Sequence, residues 1–339
     1  MILPDELKFD EEKELEKIKN FINDALKKLN KRKVYIGLSG GIDSAIVLKL
    51  LTLSIDKENI FALIMPDKDS KRENLIDAVE FSKSLGVKYK IINISKVLSE
   101  FGIYRSLPYF VVPTRKLRER VTQNFYKNYE KKFGKSPFYL SFDVPEEVDN
   151  DNFFNKGIAY YRIKHRIRMV YLYYYAELDN AAVAGTTNKT EINFGFFVKY
   201  GDSASDFEPI AHLYKTQVFK LAEYLKIPEK IILKPPSPDL LPGITDEFAM
   251  GLNYEMVDRV LFRFLNGEKP ETISSELNLE KKLIDNLYIA HINSYYMRTL
   301  PPHLSWFKIN DFYKAHTNSH YMRTLPPTLL SFSTWLGIQ

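Results

Sequence analysis

The sequence predicts an α/β fold built on a doubly wound parallel sheet, and two observations lead to it. Apolar runs at residues 34–38, 60–65 and 89–94 have the length and composition of buried strands. Helical patterns at residues 45–51 and 72–85 separate these runs. Strands that alternate with helices are typical of a parallel sheet covered on both faces. We therefore expect ligands to bind at the carboxyl ends of the strands.

Further elements flank this alternation. Apolar residues recur at helical spacing over residues 15–29, so a helix precedes the first strand. A tyrosine-rich helix is predicted at residues 157–178, and a short buried strand follows at residues 181–185. Residues 101–155 break the pattern and are predicted to be a helical insertion. Its basic helix, residues 115–135, has three open interpretations: a solvated face, a lid over phosphates, or a docking surface for an acidic partner.

A glycine turn between the first strand and its helix predicts a phosphate-binding loop. Ser39-Gly40-Gly41-Ile42-Asp43-Ser44 closes the apolar run and opens the helix. Glycine lets the backbone approach an anion, while free amides and the helix dipole attract it. The Walker pattern is absent, and Asp43 places a carboxylate where Mg²⁺ would have to neutralise it. The combination favours a loop for the pyrophosphate of ATP, with an ordinary Gly-Gly turn as the alternative.

The composition excludes several classes of protein. The 339 residues are 45% hydrophobic and 27% charged, which is typical of a globular protein with a large core. No apolar run approaches the roughly 18 residues of a membrane span, and no signal-peptide pattern is present. We therefore expect a cytoplasmic location. The chain has no cysteine, which excludes thiolate zinc sites and a cysteine-type glutaminase within it. A net charge of +5 does not by itself indicate nucleic acid.

The end of the chain contains a duplicated segment. Residues 290–302, here copy 1, recur with few changes as residues 315–327, here copy 2, at an offset of 25. Two copies are too few for a solenoid. We expect one main domain at residues 1–300 and a C-terminal extension at residues 301–339 that holds the tandem duplicate.

Several motifs in order along the chain resemble NAD synthetases, which are N-type ATP pyrophosphatases. The glycine loop marks the superfamily, and the Lys-Tyr-Gly-Asp-Ser-Ala-Ser-Asp block at residues 199–206 is more specific. The remaining matches are residues 166–169, Gly185-Thr186 with Glu191, residues 215–217 and residues 234–237. The resemblance covers about residues 12–99 and 155–300. It implies an adenine nucleotide alpha hydrolase-like fold and amidation of deamido-NAD with ATP and ammonia.

The resemblance also implies roles for individual residues. ATP would contact Thr186, Lys215, Ser237 and the whole loop, namely Gly37, Leu38, Ser39, Gly40, Gly41, Ile42, Asp43 and Ser44. Mg²⁺ would be held by Asp43 and Glu191, which with Lys215 form the predicted catalytic set. Deamido-NAD would contact Arg166, Lys199 and Asp206, although Asp206 could instead only brace its loop. A homodimer packed through the tyrosine-rich helix is expected, and a separate glutaminase partner is compatible with the missing cysteine.

Departures from the family pattern, among them the long insertion at residues 101–155 and a changed tail, leave alternatives open. The family has a His-Lys-Arg triplet near the end of the chain. At the aligned positions this sequence has Tyr296-Met297-Arg298, or Tyr321-Met322-Arg323 in copy 2, so the histidine and the lysine are absent. The second hypothesis is therefore a related enzyme that adenylates a different carboxylate and amidates or ligates it. A tRNA-thiolating enzyme is disfavoured by the absence of cysteine, and a nucleotide-binding regulator without turnover is disfavoured by the intact Asp43, Glu191 and Lys215.

Overall fold

A central parallel sheet organises the protein. The computed structural model describes residues 3–106, 114–237 and 241–301. Within these residues the sheet has four strands in the order β3-β2-β1-β4, all parallel. The strands are β1 (Val34–Gly37), β2 (Ile60–Ile64), β3 (Lys88–Ile91) and β4 (Ala182–Ala184). The predicted fold class is confirmed.

The strand order places a crevice at the carboxyl end of β1. The chain runs outward from β1 to β2 and β3, then returns to pair β4 with the other side of β1. Loops that leave β1 and β4 therefore diverge to opposite faces, which opens a ligand site between them. Strands β1 and β4 are almost entirely buried, as expected of parallel strands covered on both faces. The glycine loop lies at this switch point.

Helices on both faces complete two hydrophobic cores. One core joins the helices α1 (Glu11–Leu29) and α2 (Ile42–Ser54) to the sheet around Ile46. The other packs a long helix, α9 (Asn152–Leu178), against Tyr35 and Val183. Helix α2 is apolar on all sides because it is buried between other elements. The helices of this half are α1 (Glu11–Leu29), α2 (Ile42–Ser54), α3 (Arg72–Leu85), α4 (Ser95–Glu100), α5 (Ile103–Ser106) and α9 (Asn152–Leu178).

The predicted insertion is helical over its described residues. It contains α6 (Arg115–Phe133), α7 (Pro137–Leu140) and α8 (Glu146–Asp149). Thr114 caps the start of α6, and Gly134 ends the helix in a left-handed conformation. Arg118 of α6 forms an ion pair with the buried carboxylate of Asp69 at 3.5 Å. Part of the basic face is therefore attached to the loop after β2 and is not simply solvated.

The C-terminal half is helical. Its helices are α10 (Lys189–Phe194), α11 (Lys215–Tyr224), α12 (Glu229–Ile232), α13 (Asp246–Met250), α14 (Tyr254–Leu265), α15 (Pro270–Leu277) and α16 (Lys281–Asn293). Helices α14 to α16 form a third hydrophobic core around Val257 and Leu287. A single 3-10 turn, Tyr295–Arg298, follows α16 and contains part of copy 1. Met297 in this turn is buried. Copy 2 and most of the extension at residues 301–339 lie outside the described residues.

Several boundaries differ by a few residues from the sequence-based prediction, and two of the differences have a clear local cause. The third strand was predicted at residues 89–94 but ends at Ile91, because Ile94 already precedes α4 as its N-cap. The tyrosine-rich helix begins at Asn152, five residues before its predicted start, because the Asp151 carboxylate caps it through the amides of Phe153 and Phe154. None of the helices in the described ranges is both long and apolar enough to cross a bilayer.

Candidate functional site

The glycine loop exposes uncapped amides at the start of α2. Gly41 is the N-cap and has no side chain to satisfy the first-turn N–H groups. Gly40 has φ +81°, and a Cβ there would collide with the Asn74 carbonyl oxygen of α3. Ser39 Oγ contacts Ser44 Oγ at 3.0 Å and accepts from the Gly41 amide at 3.2 Å, so both hydroxyls are held at the turn. This arrangement suits an anion.

A lysine supports the same loop from outside. Lys234 Nζ donates to the Gly40 carbonyl oxygen at 2.8 Å and to Asn74 Oδ1 at 3.0 Å, and it pairs with Asp77 Oδ2 at 2.5 Å. These contacts fix the loop against α3. Lys234 also lines the adjoining cavity, so it adds positive charge beside the predicted phosphate position.

The predicted catalytic residues meet at the carboxyl ends of β1 and β4. Lys215 Nζ lies 2.5 Å from Asp43 Oδ2 and 3.2 Å from Glu191 Oε1. Asn188 connects them further, because its Nδ2 donates to Asp43 Oδ1 at 3.0 Å and its side chain forms a capping box with Glu191. The Lys215 side chain is only 1% exposed. It is therefore not a surface residue of its helix.

The charges of this cluster are strongly coupled. Burial raises the pKa of Glu191, and Asp43 and Asp246 raise it further while Lys215 opposes them. Burial alone would lower the pKa of Lys215, but the charges of Asp43, Glu191 and Asp246 outweigh it and raise the pKa. Lys215 is thus held as an ammonium. One cation facing three carboxyl groups leaves a site that can accept a further cation.

Asp246 is an acid that the sequence reasoning missed. Burial raises its pKa to about 6, and its Oδ2 accepts from the Tyr254 hydroxyl at 2.7 Å. Its buried Oδ1 has no hydrogen-bond partner. A cation or a donor from a bound ligand would satisfy this oxygen. A lone Asp in a turn-like segment carries no periodic signal, which is why only the structure reveals it.

A second buried acid fixes the two helices that carry Glu191 and Lys215. Asp258 of α14 accepts from Thr190 Oγ1 at 2.5 Å and from the Thr216 amide at 2.7 Å. Thr190 in turn accepts from the Lys215 amide at 3.0 Å. One carboxylate therefore ties the first turn of α10, next to Glu191, to the first turn of α11. Its pKa is raised by burial to about 6.

These groups surround a cavity of about 530 Å³. Its walls include Thr186 and Ser237, which the resemblance assigns to ATP, together with the catalytic set. Of the predicted loop residues, the lining contains Gly37, Leu38, Ser39, Gly41, Ile42, Asp43 and Ser44. Gly40 does not line the cavity; its positive φ forms the turn that shapes the loop. The insertion contributes aromatic side chains from α6 and α7 to the cavity wall, namely Phe125, Tyr126 and Phe138.

The three predicted deamido-NAD contacts lie outside this cavity. Arg166 Nε donates to the Lys199 carbonyl oxygen at 3.3 Å, so these two residues are neighbours. Lys199 Nζ donates to the Tyr296 carbonyl oxygen at 2.5 Å. Asp206 lies at the edge of the sheet, where its carboxylate accepts from the Val183 amide at 2.7 Å and from the Tyr173 hydroxyl at 3.1 Å. Asp206 thus braces β4, and its assignment to the substrate stays a prediction.

The donor set at Asp43 and Glu191 fits Mg²⁺. This ion favours one or two carboxylates completed by water and substrate phosphates over a site built from protein alone. In the described part of the chain, no group of three or more His, Cys, Asp or Glu side chains could hold a metal ion. Two carboxylates beside a phosphate loop match the first arrangement, and the orphaned Asp246 oxygen adds unbalanced negative charge nearby.

Comparison with known proteins gives consistent relatives. The family model for NAD synthase matches residues 14–104 and 121–301. An NH(3)-dependent NAD(+) synthetase of Coprothermobacter proteolyticus is 45% identical over 260 residues, 77% of this chain and 87% of its own. The enzyme of the same name from Thermotoga maritima is 44% identical over 289 residues, 84% of this chain and 97% of its own.

Solved structures agree with these sequence matches. An NMN synthetase from Francisella tularensis superposes with a TM-score of 0.63 at 28% identity, covering 87% of this chain and 99% of that one. An NH3-dependent NAD synthetase from Campylobacter jejuni, in complex with nitrate, superposes with a TM-score of 0.59 at 29% identity, covering 88% and 100%. The fold, the family model and the curated relatives together show that this chain belongs to the NAD synthase family.

Proposed function

We propose that this chain amidates deamido-NAD to NAD, using ATP and ammonia and releasing AMP and pyrophosphate. It is then a ligase that forms a carbon–nitrogen bond. The observation that carries the proposal is the convergence of the glycine loop, Asp43, Lys215 and Glu191 on one cavity at the switch point of the sheet. The curated relatives are ammonia-dependent NAD synthetases, so the alternative of a different carboxylate is not favoured.

The chemistry has two balanced steps. A carboxylate oxygen of the nicotinic acid ring attacks the α-phosphorus of ATP, and the bond to pyrophosphate breaks. Ammonia then attacks the acyl carbon of the adenylate, loses a proton, and expels AMP with the bridging oxygen. Neither step needs a protein nucleophile, so the work of the chain is to position the reactants and stabilise charge.

The site residues divide this work. The free amides at the start of α2 bind the β- and γ-phosphates, and Ser39 and Ser44 orient the turn. Lys215 leaves its carboxylate partners to pair with the departing pyrophosphate, as a compact ammonium can. Asp43 and Glu191 would hold Mg²⁺, which supplies charge neutralisation at the phosphates when bound. Thr186 and Ser237 contact the nucleotide from the cavity wall.

We infer a homodimer that buries the exposed face of α9. Val170, Tyr174 and Leu178 are four residues apart and are 63%, 56% and 66% exposed. An apolar stripe of this kind favours a partner, and a second copy of the chain provides a self-complementary one. Arg166 lies one turn before Val170 on the same stripe. The predicted substrate contacts would therefore border the dimer interface.

The nitrogen source follows from the composition. With no cysteine in the chain, a cysteine-type glutaminase cannot reside in it. We propose that ammonia reaches the site free or from a glutaminase site outside these 339 residues. The cytoplasmic location stays a prediction from the sequence.

A product assay tests the proposal. Purified protein is incubated with deamido-NAD, ATP, Mg²⁺ and ammonium, and the products are quantified by chromatography. We expect NAD, AMP and pyrophosphate in equal amounts, with glutamine a poor substitute for ammonium. Nicotinic acid mononucleotide serves as the competing acid, since a structural relative is an NMN synthetase. Preferential turnover of the mononucleotide, or no NAD, would reject deamido-NAD as the substrate.

A further inference from the structure

Glu208 lies directly behind the cavity wall at the end of β4. Phe207 pairs with Ala184 as a parallel bridge, and the Gly185 amide donates to the Phe207 carbonyl oxygen at 2.9 Å. This pairing brings the next residue of the chain, Glu208, beside Gly185. Gly185 lines the cavity, whereas Glu208 does not. Glu208 is therefore placed to act on the wall from behind.

The carboxyl group of Glu208 occupies the space that a side chain of Gly185 would need. A Cβ on Gly185 would collide with the carboxyl carbon and with both carboxyl oxygens of Glu208. The φ of Gly185 is not in the left-handed region, so its backbone conformation does not itself require glycine. Glycine is needed here because the carboxyl group lies against its Cα atom.

Three contacts join this carboxyl group to two segments of the site. Glu208 Oε2 accepts from the Thr187 amide at 3.0 Å. Its Oε1 lies 3.3 Å from Thr187 Oγ1 and 2.8 Å from Ser205 Oγ. Thr187 belongs to the turn that follows β4, and Ser205 belongs to the block at residues 199–206. One side chain therefore fixes this turn against the block.

The turn that Glu208 holds carries groups for ATP and for the catalytic set. Thr186 lines the cavity and is the residue that the resemblance assigns to ATP. Asn188 donates from Nδ2 to Asp43 Oδ1 at 3.0 Å and is the N-cap of α10. Thr187 lies between these two residues in the chain, so a shift of Thr187 would move both of them.

We propose that Glu208 is a positioning residue for the reaction. By holding Thr187 in place, it positions Thr186 for ATP and Asn188 for the catalytic set. It acts through the turn, because its own side chain does not line the cavity. The inference rests on the proposed function in taking ATP as the nucleotide, and it does not require deamido-NAD as the acid.

The surroundings of the carboxyl group favour its neutral form. Burial raises the pKa of Glu208 to about 8. Hydrogen bonds from Ser205 and Thr187 oppose the rise, whereas the charge of Asp202 adds to it, and Tyr173 of α9 is the other titratable group that faces it. Within the described residues no lysine, arginine or histidine forms an ion pair with it. A neutral carboxyl group can accept from the amide and donate to a hydroxyl without adding negative charge near ATP.

Variants of Glu208 separate the shape of the side chain from its contacts. ATP affinity is measured by calorimetric titration with α,β-methylene ATP and Mg²⁺, which needs no turnover. We expect Glu208→Ala to weaken binding at least about tenfold at pH 7. Glu208→Gln should rescue it to within about threefold of the wild type, since an amide makes the same contacts as a neutral carboxyl group. Glu223→Ala, on the exposed side of α11, is the matched control.

Two outcomes of these titrations would overturn the proposal. The first is an affinity of Glu208→Ala equal to that of the control, which would mean that the turn needs no carboxyl group. The second is an equal loss in Glu208→Gln and Glu208→Ala, which would mean that the neutral form does not hold the turn. Failure of deamido-NAD to react would reject the proposed function and leave these affinities unchanged, so the two failures are distinguishable.

A change at Gly185 displaces the carboxyl group without removing it. In Gly185→Ala the added methyl group would push the Glu208 side chain away from Thr187, so we expect a loss similar to that of Glu208→Ala. In the double variant Gly185→Ala with Glu208→Ala, the space is free and the methyl group should cost nothing further. An additional loss of about tenfold or more in the double variant would overturn the contact as the reason for the glycine.

The pH dependence of ATP binding gives a readout that a purely structural role would not change. It compares the wild type with Glu208→Gln, using the same ATP analogue. The wild type should lose affinity as the pH rises through about 8, because ionised Glu208 adds negative charge near the phosphates. The glutamine variant should lose less, since all other titrating groups are common to both proteins. Superimposable profiles would overturn the proposal.

Discussion

Lys215 Nζ lies 2.5 Å from Asp43 Oδ2, although the two residues are 172 positions apart in the chain. The contact joins the first turn of α11 to the first turn of α2 across the switch point of the sheet. It places a buried ammonium beside the phosphate loop, next to carboxylates suited to a metal ion. The proposed reaction depends on this arrangement, because both ions act on the same leaving pyrophosphate.

Replacing Lys215 should abolish most activity. Lys215→Met removes the cation that stabilises the leaving pyrophosphate and leaves Asp43 and Glu191 facing each other. We expect kcat to fall at least about 100-fold. Lys220→Met, an exposed position on the same helix, is the matched control and should be close to wild type. Steady-state kinetics of AMP release measure both, and a mild effect at Lys215 would remove it from the catalytic set.

If Asp43 and Glu191 bind Mg²⁺, replacing either residue should lower both the reaction rate and the affinity for Mg²⁺. Asp43→Asn and Glu191→Gln keep the side-chain shapes but remove ligand charge, so each should lose at least about 100-fold in rate. Both should also need more Mg²⁺ for half-maximal activity. Glu223→Gln, an exposed acid that pairs with a lysine and does not line the cavity, controls for general loss of charge. A titration of rate against Mg²⁺ tests this, and wild-type rates at saturating Mg²⁺ would reject these ligands.

Gly40 should tolerate no side chain. In Gly40→Ala the Cβ would meet the Asn74 carbonyl oxygen and would also force alanine to φ +81°. Strain and collision together should cost about 2 kcal/mol or more and weaken ATP binding. Gly102→Ala is the control, since Gly102 has φ +68° but nothing within 4 Å of an added Cβ. Calorimetric titration with ATP should show weaker binding for Gly40→Ala than for Gly102→Ala. Equal ATP affinities in the two variants would mean that the structure relieves the collision at Gly40.

The dimer proposal predicts a monomer when the stripe on α9 is charged. Val170→Glu with Leu178→Glu places carboxylates in the centre of the expected interface, where they would lose their water. Light scattering should then report half the mass of the wild type. Ile76→Glu on α3, 42% exposed, serves as the control and should leave the mass unchanged. If the wild type is itself a monomer at micromolar concentration, the stripe is not a dimer interface.

His291 should make the fold sensitive to acid. Burial, helped by the charge of Arg298, lowers its pKa to about 4, against about 6.5 in an unfolded chain. The unfolded state therefore binds the proton first, so stability is lost as the pH falls from about 6.5 towards 4. Between pH 7 and 4.5 this group accounts for about 2 kcal/mol. Urea unfolding of His291→Gln should show a shallower pH dependence, and equal slopes would contradict the assignment.

The sequence predicted the sheet well because β1, β2 and β4 are nearly uniform apolar runs, which leave little choice of structure. The more exposed β3, Lys88–Ile91, contains two lysines, and its end was predicted less well. The sequence also predicted the phosphate loop, because Gly40 and Gly41 sit between a strand and a helix. The boundaries that failed depended on single residues, such as the Asp151 cap that starts α9 early. The local sequence pattern does not show which of several possible capping side chains sets the start of a helix.

The candidate site was predicted only in part, for a physical reason. Asp43, Glu191 and Lys215 carry motif context, and the structure brings them together. Asp246 and Asp258 belong to no recognisable motif, and they are part of the site because elements distant in sequence bury them there. Lys234 likewise acts through α3 and the loop backbone. Tertiary packing, and not sequence spacing, makes these residues part of the site.

The most direct test of the proposed reaction follows one oxygen atom. Deamido-NAD labelled with ¹⁸O in its carboxylate is turned over with ATP and ammonium, and the products are examined by mass spectrometry. Attack on the α-phosphorus predicts one ¹⁸O atom in AMP, none in pyrophosphate, and one left in the amide of NAD. Label in pyrophosphate or inorganic phosphate, or ADP as the product, would contradict the adenylation that the phosphate loop is proposed to serve.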